Sequence, residues 1–245
     1  MTKRVLVVGG SEEFTGAPYL AGMAALRAGA ESVIVMAPER VAWALNALSP
    51  DLMTRKLKGT YLSGAHRAAI EKQLKTADVL VLGNGAGTRP ATASLMRSLS
   101  KWSGPKVIDA DALKVLRGTS VRNAILTPNQ GEWKPLERHS GIEALLSNGN
   151  VIIKKGNPTT ILFAKRTFRQ PRTNQGLAKA GTGDVLAGLC AAYLAAGLPL
   201  FDAAKRAART GNTIADILTK RKKGYYFLAS DIIDELRRIQ NTRIV

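Results

Sequence analysis

Short runs of aliphatic and β-branched residues alternate along the chain with longer segments whose apolar positions recur every three or four residues. Residues 5–8 are a continuous apolar run closed by Gly9-Gly10, the pattern of a strand buried on both faces. Residues 16–28 carry Leu20, Met23, Ala24 and Leu26 at helical spacing, with Gly29 as a stop. Residues 32–37 predict a second buried strand, and Pro38-Glu39 opens another helix. Further strands are expected at 79–82, 107–109, 125–127 and 151–154, separated by helical stretches near 64–75, 91–101 and 110–117. Residues 159–164 and 166–170 read as paired strands. Beyond a polar loop the pattern turns helical, at 182–196, 200–221 and 230–240. The basic run Lys220-Arg221-Lys222-Lys223 falls where cations complement a helix dipole. This rhythm predicts an α/β fold with a mainly parallel central sheet flanked by helices on both faces. With no internal repeat and no low-complexity linker, a single domain over 1–245 is expected.

Composition narrows the class. Hydrophobic residues make up 45% and charged residues 22%, enough apolar surface to offset the entropy of ordering, which excludes a disordered chain. Cys190 is the only cysteine, so no disulfide framework exists. No apolar run approaches the ~20 residues that span a bilayer, so no membrane partner is expected. The amino-terminal apolar run is too short and too soon glycine-rich for a secretory signal, which points to a cytoplasmic protein. Thirty-six Lys and Arg against eighteen Asp and Glu give a net charge of +18. That excess suits nucleic acid, an anionic surface or small anionic substrates. Aromatic residues are only 5% and no zinc finger, basic zipper or RNA-binding motif is present, so nucleic acid is not expected as a partner.

The strongest local signal is Gly181-Thr182-Gly183-Asp184, followed by an apolar helical stretch. Glycines let a ligand approach the backbone closely, and the helix start turns free amides toward an anion. Asp184 in the first turn can accept a proton from a substrate hydroxyl as general base, or simply stabilise the helix terminus. Glycine loops also follow two expected strands, at Gly9-Gly10-Ser11 and at Gly83-Asn84-Gly85-Ala86-Gly87, the edge where open α/β sheets bind ligands. In Thr127-Pro128-Asn129-Gln130-Gly131-Glu132, Asn129 and Glu132 share one face of a helix start. There Glu132 can organise Mg²⁺ through water, or the pair can form a capping box. Lys154-Lys155-Gly156 ends a strand and can meet a phosphate or solvent. No acidic residue lies between Glu143 and Asp184, while Lys154, Lys155, Lys165, Arg166, Arg169, Arg172 and Lys179 do, which predicts an electropositive approach to the site. Asp109 and Asp111 offer paired carboxylates, with Asp111 expected as a helix cap. Cys190 is expected in the core, and His66 and His139 lack companions at metal-ligand spacing.

In order and spacing, Gly9-Gly10-Ser11 with Thr15-Gly16-Ala17-Pro18, Gly83 to Gly87, Asp109 to Leu113, Thr127 to Glu132, Lys155-Gly156 and Gly181 to Asp184 resemble the ADP- or ATP-dependent NAD(P)H-hydrate dehydratase family of the ribokinase-like superfamily. The resemblance runs from Val5 to about Gly197 and implies a ribokinase-like fold. It implies an enzyme that phosphorylates the ring hydroxyl of NADH or NADPH hydrate and then eliminates phosphate, restoring the dihydronicotinamide. By that resemblance Asp184 is the base and the amides of Gly181 to Gly183 form the anion hole. Ala17, Gly85, Gly87, Asn129 and Asp184 would contact the hydrate. Lys155, Gly156, Asn157, Pro158, Thr159 and Gly183 would contact the adenine nucleotide, Glu132 would support Mg²⁺ indirectly, and the protein would be a homo-oligomer. The chain departs from the family's usual His-Pro-Gly-Glu with Asn129-Gln130-Gly131-Glu132, a pattern of vitamin and sugar kinases in the superfamily. A kinase acting on a hydroxyalkyl heterocycle or sugar-like substrate is therefore the alternative. A nucleotide- or nucleic-acid-binding protein without catalysis is a third reading. Gly-Asn-Gly-Ala-Gly replaces the more usual Gly-Pro-Gly-Leu-Gly. The chain starts almost at its first strand, so neither a leader nor the epimerase domain often fused to the family is expected.

Overall fold

The computed structural model describes residues 3–118 and 120–239. Among them, nine strands share one sheet: β1 (Arg4–Val8), β2 (Ser32–Pro38), β3 (Met53–Leu57), β4 (Val79–Leu82), β5 (Lys106–Ile108), β6 (Ala124–Leu126), β7 (Val151–Lys154), β8 (Thr160–Phe163) and β9 (Arg166–Arg169). They lie in the order β3-β2-β1-β4-β5-β6-β7-β8-β9. The first seven run parallel, and β8 and β9 close the far edge as an antiparallel pair.

Strict alternation along these short strands explains the layering. Val35, Val7, Val81, Val107, Ile125 and Val151 are register neighbours across six strands, and all face one side. On that side pack α1 (Gly16–Arg27), α2 (Glu39–Leu48), α8 (Thr182–Ala195), α9 (Leu200–Arg221) and α10 (Ala229–Ile239). Leu6, Val8, Leu80, Leu82, Ile108 and Leu126 point the other way. They are covered by α3 (Arg67–Leu74), α4 (Pro90–Leu99), α5 (Asp111–Val115), α6 (Gln130–Ser140) and α7 (Ile142–Ser147). Because both faces are buried, the central strands are continuously apolar rather than alternating with polar residues.

The expected strands and helices are present, with three differences. β3 was not anticipated: its sequence Met-Thr-Arg-Lys-Leu is mostly exposed at the sheet edge and carries no apolar run. Helices α6 and α7 were not anticipated beyond the opening turn, because Gly131 and Pro135 interrupt a polar stretch with little apolar periodicity. The strands expected through Asp109 and Thr127 stop one residue earlier, at Ile108 and Leu126, which releases both polar side chains from the sheet. Gln240, the expected end of the last helix, lies outside the described residues. Cys190 is fully buried in the core. His66 is a structural residue whose Nδ1 accepts the Ser63 amide and whose Nε2 contacts the Lys58 carbonyl, while His139 is exposed. No helix among the described residues is long and apolar enough to cross a membrane.

Candidate active site

Four adjacent parallel strands, β4 to β7, deliver polar side chains from just beyond their carboxyl ends: Asn84, Asp109, Thr127 and Lys155. Sheet-like backbone bonds continue past the strands and fix these positions. The Asp109 amide donates to Leu82 (3.1 Å) and the Thr127 amide to Ile108 (3.2 Å). The side chains then converge on Asp109, which is only 1% exposed. Its Oδ1 accepts from Thr127 Oγ1 (2.6 Å) and Lys155 Nζ (3.0 Å), and its Oδ2 from Asn84 Nδ2 (3.1 Å). Burial lowers the Lys155 pKa, but the Asp109 and Glu132 charges more than reverse this and hold the ammonium above its ordinary value.

Asp184 comes to this cluster from α8. Gly181 caps that helix in the left-handed conformation (φ +84°), and a Cβ there would lie 2.7 Å from Leu20 Cδ1, so the turn requires glycine. Asp184 is the third helical residue, among amides that have no acceptor within the helix. Its Oδ1 accepts from Asn84 Nδ2 at 2.6 Å. Burial pushes its carboxyl up to about 7 and the Asp109 charge adds to that, while the Asn84 bond and Lys155 oppose it. A carboxylate balanced between its two forms near neutral pH is suited to taking a proton.

Asp184, Gly181, Gly183, Asn129, Glu132 and Lys155 line a cavity of about 710 Å³, as do Gly156, Asn157 and Thr159. Pro158, joined to Asn157 by a cis peptide, sits between two lining residues without lining the cavity itself. Ala17, Gly85 and Gly87 also do not line it. Gly85 packs where a Cβ would meet the Phe14 carbonyl (2.6 Å) and Ala17 Cβ (3.0 Å), so Ala17 and Gly85 adjoin each other beside the Asn84 turn.

One of the two readings left open for Asn129 and Glu132 is present, and two other expectations are not met. Asn129 and Glu132 form the capping box: Asn129 Oδ1 accepts the Glu132 amide and Glu132 Oε2 accepts the Asn129 amide, each at 2.9 Å. Glu132 is buried, and that burial raises its pKa against the pull of Lys155. Asp111 is not a cap. It is the first residue of α5, and its carboxylate instead accepts the Gly87 amide (2.9 Å) and Lys114 Nζ (2.8 Å), tying the glycine loop to the next helix. The basic interval does not converge on the cavity: only Lys155 and Lys179 line it. Lys154 lies over Trp133, Arg166 over Phe201, and Arg172 pairs with Asp216. Among the described residues, no group of three or more His, Cys, Asp or Glu side chains is arranged to hold a metal ion.

A parallel sheet covered on both faces, with a glycine turn and an acid at the start of a helix over its carboxyl edge, defines a ribokinase-like α/β protein. The sequence profile of the carbohydrate-kinase-related NAD(P)H-hydrate dehydratases matches residues 5–238, and the chain belongs to that family. It is 36% identical over 251 residues to the bifunctional NAD(P)H-hydrate repair enzyme of Pyrobaculum aerophilum, an alignment covering 96% of this chain and 50% of that protein. The chain thus spans about half the length of the curated relatives it matches. A ribokinase-like protein of Enterococcus faecalis superposes with a TM-score of 0.83 at 24% identity, over 97% of this chain and 86% of the other. The ADP/ATP-dependent NAD(P)H-hydrate dehydratase of Bacillus subtilis, co-crystallised with ATP and Mg²⁺, gives 0.79 at 24% identity, over 97% and 88%. These likenesses establish the fold.

Proposed function

We propose that the chain dehydrates NADH or NADPH hydrate in an ADP- or ATP-dependent reaction. The observation that carries this reading is the place of Asp184, a half-buried carboxylate at the start of α8 that lines a cavity of about 710 Å³ and that burial pushes up to about 7. Family membership supplies the substrate class.

The ring hydroxyl of the hydrate attacks the terminal phosphorus of the nucleotide, and Asp184 takes the hydroxyl proton. The bond from phosphorus to the leaving nucleotide oxygen breaks. The amides of Gly181 to Gly183 receive the charge on the transferring phosphoryl group. The carbon–oxygen bond then breaks with phosphate as leaving group, and the adjacent carbon loses a proton, restoring the ring double bond. Phosphorylation is what makes this elimination possible, since hydroxide is a poor leaving group. Lys155, Gly156, Asn157, Pro158 and Thr159 hold the nucleotide, with Lys155 near its phosphates. Asn129 meets the hydrate from one side, and Ala17, Gly85 and Gly87 bound it beyond the Asn84 turn.

The residues present fit Mg²⁺ held mostly by phosphates and water. Glu132 keeps one oxygen outside its cap, and a single carboxylate beside phosphates is an ordinary Mg²⁺ arrangement. The ion, when bound, neutralises phosphate charge. A cytoplasmic, homo-oligomeric protein completes the proposal; the exposed Trp43 and Leu48 on α2 and Met53 on β3 support self-association. Asp184→Asn tests the reading. Turnover should be abolished with the fold intact, and a near-normal rate would remove Asp184 from the chemistry.

A further inference from the structure

We propose that Asn84 is a positioning residue: its side-chain amide ties the Asp184 carboxylate to the buried Asp109 carboxylate, fixing one oxygen of the base and leaving the other for the substrate proton. The proposal rests on the reading of Asp184 as that base.

Asn84 is 0% exposed, and one nitrogen serves two carboxylates contributed from different parts of the chain, at 3.1 Å and 2.6 Å. Both partners are carboxylate oxygens, and the amide meets them with its NH₂ end, which donates to the ionised form of each. The two acids are not equally dependent on it. Asp109 keeps Thr127 and Lys155 if Asn84 is removed. Asp184 has no other side-chain donor among the hydrogen bonds of the described residues, and it would be left facing the Asp109 charge. The opposite end of the amide, Oδ1, is buried with no hydrogen-bond partner among the described residues. Leaving that acceptor unpaired costs stability, so folding alone does not favour an amide here. Nor does the turn need the side chain, since the Asn84 carbonyl accepts the Gly10 amide at 2.9 Å.

The charged groups acting on Asp184 are Asp109 beyond β5, Asp111 on α5 and Lys155 beyond β7, and its burial favours the protonated form. Asn84 contributes a bond to the ionised form, so removing it shifts the proton equilibrium upward.

The experiment is a ¹³C-carboxyl titration of aspartate-labelled protein, with the Asp184 signal assigned by its loss in Asp184→Asn. Asn84→Ala, Asn84→Ser and Asn84→Asp are compared with the wild type, and pH profiles of NADH-hydrate turnover are recorded in parallel. Each variant should raise the apparent Asp184 pKa by about one unit or more. Starting near 7, a one-unit rise cuts the ionised fraction at pH 7 from about one half to about one tenth, so turnover falls about fivefold there and recovers above about pH 8.5. A residue that merely packs would lower the rate equally at every pH and leave the titration in place. An unshifted Asp184 titration in the folded variants overturns the proposal. If the titration shifts while the wild type turns over no hydrate with either nucleotide, the tie stands and the dehydratase reading fails.

Discussion

Lys155 Nζ donates to Asp109 Oδ1 at 3.0 Å, joining the ends of β7 and β5 across the intervening β6. The lysine side chain is 22% exposed and the aspartate side chain 2%, so the pair is largely withdrawn from water. One consequence is mechanical: a cation expected to meet phosphate is also the ion-pair partner of the buried Asp109 beneath the site. Lys155→Met should therefore damage folding as well as nucleotide binding. Leaving Asp109 buried without its cation costs about 3 kcal/mol. Urea unfolding of the variant measures this, and an unchanged midpoint would show that Asp109 does not need the lysine.

The two glycines before Asp184 should respond differently to alanine. Gly181 has φ +84°, and a Cβ would press on Leu20 and Ala229, so Gly181→Ala should cost about 2 kcal/mol of stability. Gly183 is helical, and its Cβ would stand 3.1 Å from Lys155 Nζ. Gly183→Ala should leave thermal stability nearly unchanged and weaken nucleotide binding roughly tenfold. Calorimetric titration with ATP beside a thermal melt separates the two effects. Equal behaviour of both variants would contradict the assigned roles.

The raised Asp184 pKa also fixes the sign of a stability effect. With an ordinary carboxyl value of 3.8 in the unfolded chain and about 7 in the fold, the native state holds more protons than the unfolded chain between those limits. Its stabilising contribution is complete below about pH 4 and is lost as pH rises through 7. Asp184→Asn cannot ionise, so it should gain stability relative to the wild type as pH rises from 4 to 8. Denaturant midpoints of both proteins at pH 4, 6 and 8 test this, and a constant difference would show that the carboxyl is not desolvated in the fold.

The architecture was legible because the buried strands are written as unbroken apolar runs, such as 5–8 and 79–82, each followed by glycine or a polar turn. β3 was hidden because an edge strand need not be apolar, and its Arg55 and Lys56 read as loop. Individual site loops were also visible, since Gly181 to Asp184 and Asn129 to Glu132 are contiguous. The network connecting them was not. Asn84 reaches Asp184 across 100 positions, and that contact exists only because β4 and β5 lie side by side beneath α8. The same reason misplaced Asp111: its position at a helix start suggested a cap, but its acceptor duty is to Gly87, on a loop 24 residues earlier.

The capping box gives Asn129 a structural duty separable from any contact with substrate. Asn129→Ala removes the side-chain acceptor of the Glu132 amide, leaving only the longer bond to the Asn129 carbonyl, and should destabilise the protein by about 1 kcal/mol. Asn129→Ser retains a side-chain acceptor and should recover most of that loss. If serine restores stability but not turnover, Asn129 also touches the substrate. If alanine leaves stability unchanged, the box does not hold α6.

The most direct measurement mixes purified protein with freshly prepared NADH hydrate, Mg²⁺ and either ADP or ATP, and follows the return of reduced-nicotinamide absorbance. The account predicts recovery that requires nucleotide, is absent in Asp184→Asn and identifies the phosphoryl donor. No recovery from folded protein with either nucleotide, or accumulation of a stable phosphorylated product, would contradict it and turn the site into that of a small-molecule kinase.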